Sequence, residues 1–206
     1  MKYQWMILSL ALIAGLTTSY ILDSRDPNLS VVPDYPINIL ESGTDAVDLY
    51  DPADNRVRLV YFGYTQCPDV CPTSLAVMSA ALKQIPSEQL AHIWPVFITL
   101  DPERDDAITS AKYAKHFHPM ISGMTGTNKQ TEALTEKYGV LKIRTELKDS
   151  ALEYAIDHNS YFYFIAPNGE LIKKIPHLHN PAPLISAIPD ILKQVSNSPS
   201  KQNESI

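Results

Sequence analysis

The sequence predicts an α/β fold, a mixed central sheet flanked by helices and preceded by one N-terminal transmembrane helix. Three observations predict it. Short apolar, aromatic runs alternate with stretches of helical period. Two late apolar runs are separated only by Pro167-Asn168-Gly169, a tight-turn signal. An uncharged segment opens the chain. The composition agrees: 206 residues, 45% hydrophobic and 19% charged, is globular and argues against wholesale disorder or a polytopic membrane protein. The 17 basic and 23 acidic residues give a net charge of −6. No dense Lys/Arg stripe is present, so a nucleic-acid partner is not expected.

From Trp5 to Leu22 no residue is charged, a run of about 18, close to the ~20 that span a bilayer. Lys2 precedes it and Asp23, Arg25 and Asp26 follow, which places the N-terminus in the cytoplasm and the domain outside. The run is longer than the usual core of a cleavable signal. That favours an uncleaved anchor over a signal peptide ending near Thr17-Thr18-Ser19. The expected organisation is an anchor or signal segment over 1–25, a Pro-punctuated linker over 26–36, one domain over 37–195 and a polar, disordered tail over 196–206.

Within the domain, Asn38 to Asp54 suggests an N-terminal hairpin. Val57 to Tyr64 reads as a buried strand. Leu75, Met78, Leu82 and Ile85 then recur at helical spacing, with Met78 a core residue. Trp94 to Leu100 is a second buried strand, followed by a helix to about Phe117 whose first turn suits the acidic residues before it. Asn128 to Tyr138 is a third helix, closed by Gly139. Tyr161 to Ile165 and Glu170 to Ile175 form a hairpin, and Pro183 to Val195 a last helix. Right-handed crossovers make the first two strands parallel, and the hairpin adds an antiparallel edge. This is the thioredoxin-like plan.

The only two cysteines are Cys67 and Cys71, in Cys67-Pro68-Asp69-Val70-Cys71-Pro72. A bridge between them would close a tiny loop and staple little, so their reason is chemical. They lie between the first strand and its helix. A helix N-terminus offers unsatisfied N–H groups and a positive dipole end, both of which stabilise a thiolate. A thiolate there serves thiol–disulfide exchange or a soft metal. Two thiolates cannot complete a structural zinc site, whereas Cu(I) accepts low coordination and Cu(II) is held if an imidazole joins.

Six histidines are available. His92 reads as solvated, and His116 and His118 as helix-end cations. His177 and His179 form a His-x-His pair after the edge strand, a pattern that can bind metal. His158, in Asp157-His158-Asn159-Ser160, immediately precedes the Tyr161 strand, in a loop that faces the helix N-terminus in this fold. Thiol oxidoreductases of the fold place a cis-proline there; no proline occurs between Pro119 and Pro167.

Phe62-Gly63-Tyr64-Thr65-Gln66-Cys67-Pro68-Asp69-Val70-Cys71-Pro72 closely resembles the signature of the Sco/SenC family, copper chaperones of cytochrome c oxidase assembly. Leu100 to Asp105, Gly123 to Gly126, Asp157 to Ser160 and Pro167 to Gly169 resemble its further motifs in order. The resemblance implies copper, as Cu(I) or Cu(II), held by Cys67, Cys71 and His158. It implies that Cys67 and Cys71 are also a redox-active pair able to form a disulfide. The implied partners are cytochrome c oxidase subunit II, a thioredoxin-like reductant and a periplasmic copper donor. The implied place is a bacterial inner membrane, single-pass, with a monomeric domain in the periplasm. A membrane-tethered thiol–disulfide oxidoreductase that reduces the oxidase cysteines is the alternative activity. Asp101 and Arg104 are read mainly as a loop-fixing ion pair, and Asp157 either as a partner of His158 or as a turn former.

Overall fold

The computed structural model describes residues 36–148 and 150–197. The expected anchor, most of the linker and the tail from 198 onward lie outside them. Among the described residues no helix is long and apolar enough to cross a membrane.

The chain opens with β1 (Ile39–Ser42) and β2 (Asp45–Asp48), an antiparallel hairpin turning at Gly43, whose φ of 63° needs glycine's freedom. Next come β3 (Val57–Gly63), α1 (Val70–Leu82), a short α2 (Ser87–Leu90) and β4 (Ile93–Thr99). After α3 (Ala107–Phe117), β5 (Ser122–Met124) and α4 (Asn128–Tyr138) come two further hairpins, β6 (Lys142–Glu146) with β7 (Tyr154–His158) and β8 (Tyr161–Ile165) with β9 (Leu171–Pro176). The last helix, α5, is Ala182–Asn197. It extends two residues into the segment read as tail.

The central sheet has the order β5-β4-β3-β8-β9. β3, β4 and β5 are parallel, and β8 and β9 are antiparallel to their neighbours. Every residue of β3 and β4 is buried, as their continuous apolar runs require. Arg58 is the exception in kind. Its guanidinium is buried in β3 but donates to the Leu49 carbonyl at 2.8 Å and the Asp54 carbonyl at 2.8 Å, and lies over the Trp94 ring. Those contacts satisfy a charge that would otherwise be costly inside. Met78 lies in the core with Leu75 and Leu82. Gly139 closes α4 in the left-handed region, at φ 62°.

The topology fixes one consequence for function. Because β8 runs antiparallel to β3, with Tyr61 opposite Phe162, the C-terminal end of β3 and the N-terminal end of β8 meet at one edge. The cysteine segment leaves the first, and the His158 segment enters the second.

Candidate metal centre

Asp105 builds the floor of the cysteine loop. It is fully buried. Its carboxylate accepts the Thr65 amide at 2.8 Å, the Thr65 hydroxyl at 2.5 Å and the Thr99 hydroxyl at 2.6 Å. The loop leaving β3 is thereby tied to the end of β4. It delivers Cys67 three residues before α1 and Cys71 as that helix's second residue. Asp69 occupies the position before the helix without capping it through its side chain. The Cys67 sulfur accepts instead, from the Cys71 amide at 3.5 Å.

The two sulfurs differ. Cys67 is half-buried and Cys71 fully buried. The neighbouring Cys71 side chain favours a thiolate on Cys67, and the backbone amides of Asp69, Cys71 and Val70 add to this. Together they outweigh burial and bring the Cys67 thiol down to about 5. Cys71 is driven upward, first by its interaction with Cys67 and then by burial. The pair therefore stores one thiolate, on the accessible sulfur.

His158 ends β7. Its Nδ1 lies 3.1 Å from the Asn159 carbonyl and must donate to it, so Nε2 carries the lone pair. That Nε2 is 3.5 Å from the Cys71 sulfur. Burial holds the imidazolium below its usual range, which keeps the ring neutral and able to ligate. The Tyr61 and Tyr64 rings stand edge-on to the imidazole. Asn159 fastens the loop, its side chain accepting from the Leu141 amide at 3.0 Å and donating to the Gly139 carbonyl at 3.2 Å.

Thus Cys67, Cys71 and His158 lie in contiguous contact. They do not form a closed cage, and among the described residues no group of three or more His, Cys, Asp or Glu side chains is placed to hold a metal ion. Two sulfurs and a neutral imidazole are the soft donor set that suits copper. His116 packs edge-on against Phe117, and His118 accepts the Met120 amide; both serve the end of α3. Asp157 does not orient His158 by a hydrogen bond, since its carboxylate accepts the Thr145 hydroxyl at 2.6 Å across the β6–β7 hairpin. Asp101 is an anchor. One carboxylate oxygen pairs with Arg104 at 2.5 Å and the other accepts the Tyr154 hydroxyl at 2.8 Å.

Sequence reasoning passed over Asp105 and Tyr154. Asp105 stood in a motif already singled out for Asp101 and Arg104. Tyr154 carried no signal at all, because its hydrogen-bond partners Asp101 and Arg104 lie some fifty residues earlier.

The family model described as SCO1/SenC matches residues 47–193. The chain belongs to the SCO1/SenC family. An SCO2-like protein of Rickettsia felis is 42% identical over 123 residues, which are 60% of this chain and 60% of that relative's length. One from Rickettsia typhi is 36% identical over 181 residues, covering 82% of this chain and 87% of the relative. The crystal structure of Arabidopsis thaliana ScoI, solved with copper bound, superposes with a TM-score of 0.66 at 29% identity, covering 77% of this chain and 99% of that one. The SCO1/SenC match takes in both cysteines and His158.

Proposed function

We propose that the chain is a copper metallochaperone. Cys67, Cys71 and His158 take up copper as cargo and pass it to the dinuclear copper centre of cytochrome c oxidase subunit II. The observation that carries this reading is the 3.5 Å approach of the neutral His158 Nε2 to the Cys71 sulfur, beside a Cys67 sulfur already inclined to be a thiolate. A lone pair aimed at a buried thiol can take its proton in disulfide exchange as well. It is a third donor once the Cys71 proton leaves, and metal binding to thiols releases protons.

The asymmetry of the sulfurs supports exchange of cargo. Cys67 is accessible, so a partner's thiolate can attack the ion from that side while Cys71 and His158 still hold it. Oxidation of the two thiols to a Cys67–Cys71 disulfide releases two protons and two electrons and removes two of three donors. Redox state then gates loading, and a thioredoxin-like partner restores the dithiol. On this reading the domain works on the outer face of a cytoplasmic membrane, tethered by its apolar N-terminal segment.

The lowered Cys67 thiol favours a second reading, a thiol–disulfide oxidoreductase acting on oxidase cysteines. Anaerobic Cu(I) titration of the reduced chain, beside His158→Ala, separates them. The chaperone reading expects one ion per chain and an affinity lower by at least about 100-fold in the variant. Weak binding indifferent to His158, with rapid reduction of an oxidised oxidase-derived cysteine peptide, would decide for the oxidoreductase.

A further inference from the structure

The His-x-His pair after β9 has no part in the centre described above, yet it is built against it. The His177 amide donates to the Ser160 carbonyl at 2.9 Å, two residues beyond His158. Its Nδ1 lies 2.8 Å from the Ser74 hydroxyl, one helical turn beyond Cys71. That hydroxyl proton is already given to the Val70 carbonyl at 2.8 Å. Ser74 therefore accepts, His177 Nδ1 donates, and Nε2 is left as the basic nitrogen. A ligating imidazole is commonly fixed in this manner, by a hydrogen bond at its other nitrogen.

His179 completes the pair. Its ring centroid is 5.1 Å from that of His177, with the planes at 81°. With a metal–nitrogen bond of roughly 2.0 Å, two imidazoles turned toward one ion at an N–metal–N angle of roughly 110° have centroids about 5 Å apart, so the separation allows a shared ion. His177 is half-buried and held at two points, and His179 is exposed. Asp69, from the loop between the cysteines, lends negative charge to His177.

We propose that His177 and His179 form a second, outer metal site, a two-imidazole site for copper on the rim of the cysteine–His158 centre. The remaining coordination positions are open to water or to a partner's ligand. Its service as a point of capture beside the inner site rests on the copper reading above, but binding itself does not. Among divalent first-row ions, copper is the one an imidazole pair holds most tightly.

The test uses the full chain with Cys67→Ser and Cys71→Ser, so that the inner thiolates cannot contribute. Cu(II) is titrated and followed by electron paramagnetic resonance. The expected result is one ion per chain with nitrogen hyperfine structure from two imidazoles. Adding His179→Ala, an exposed change, should lower the affinity at least tenfold and leave one nitrogen. Cys67→Ser alone serves as background if the buried Cys71 change unfolds the chain, because dependence on His179 remains the readout. Binding unaltered by His179→Ala, or no binding to the serine background, would overturn the outer site. Cu(I) titration of His177→Ala/His179→Ala with both cysteines intact tests the inner centre separately, and one tightly bound ion is expected there.

Discussion

Cys67 serves two ends with one sulfur. It receives the Cys71 amide at the start of α1, and it carries the pair's negative charge. The charge makes a clear pH prediction. Alkylation of Cys67 should follow a midpoint near 5, against the ordinary thiol value of 9.0, while Cys71 stays unreactive until the chain is unfolded. A profile centred near 9 would remove the account of Cys67 as the pair's thiolate. Stability follows with a definite sign. Between pH 9 and about 5 the unfolded state binds more protons at Cys67, so its contribution is complete above 9 and is lost as pH falls toward 5. Cys71, shifted upward, acts in the opposite direction only above 9. Gly63 governs the same sulfur sterically. A Cβ there would stand 2.8 Å from Cys71 Sγ and 2.9 Å from the Tyr61 ring. Gly63→Ala should cost ~1–3 kcal/mol in a denaturation midpoint and displace Cys71 from His158, lowering copper affinity.

At the scale of elements, the β6–β7 hairpin carries His158 and is clamped at its far end. The Tyr154 ring lies between two guanidiniums, Arg104 at 3.6 Å and Arg144 at 3.5 Å, and its hydroxyl meets Asp101. Arg104 also donates to the Leu152 and Tyr154 carbonyls at 2.9 and 3.1 Å. Tyr154→Leu should remove the clamp, cost ~1–3 kcal/mol through the orphaned Asp101 acceptor, and weaken copper binding in a titration while circular dichroism stays native. Unchanged binding would mean that the clamp does not position His158. Gly123 makes a comparable demand where α3 crosses β5. An added Cβ would lie 1.9 Å from the Ser110 carbonyl oxygen, a backbone atom that cannot swing aside. Gly123→Ala should lower the thermal midpoint by more than Gly63→Ala does. These elements also mark where the sequence could and could not be read. β3, β4 and β8 announce themselves because buried strands need long apolar or aromatic runs bounded by turns, and β9 because the Pro167-Asn168-Gly169 turn pairs it with β8. The β6–β7 hairpin does not. Leu141 and Ile143 remain largely exposed, its charges face solvent, and its pairing spans a turn with no Asn-Gly signal. β5 is three residues long and is defined by its neighbour β4. The cysteines and His158 were legible because residue type and position before an element identify them. Asp105 and Tyr154 were not, because burial and partners distant in sequence make their roles.

At the scale of the whole molecule, the centre exists only in the folded chain. Cys71 and His158 are 87 residues apart and meet because β3 and β8 are antiparallel neighbours in the sheet. An ion bound across them links the α1 side of the fold to the β6–β7 hairpin and has no equivalent site in the unfolded chain. Copper should therefore stabilise by mass action. At free Cu(I) about 100 times the dissociation constant the gain is ~2.7 kcal/mol. In a domain of this size that corresponds to a rise in Tm of roughly 5–10 °C. The increment should appear for the reduced chain under anaerobic conditions. It should vanish for the Cys67–Cys71 disulfide and shrink for His158→Ala at the same free copper. An equal rise in all three forms would locate the stabilising ion away from this centre. Retention of the rise in His158→Ala alone would leave the cysteines as the binding pair and restrict the histidine to tuning their protonation.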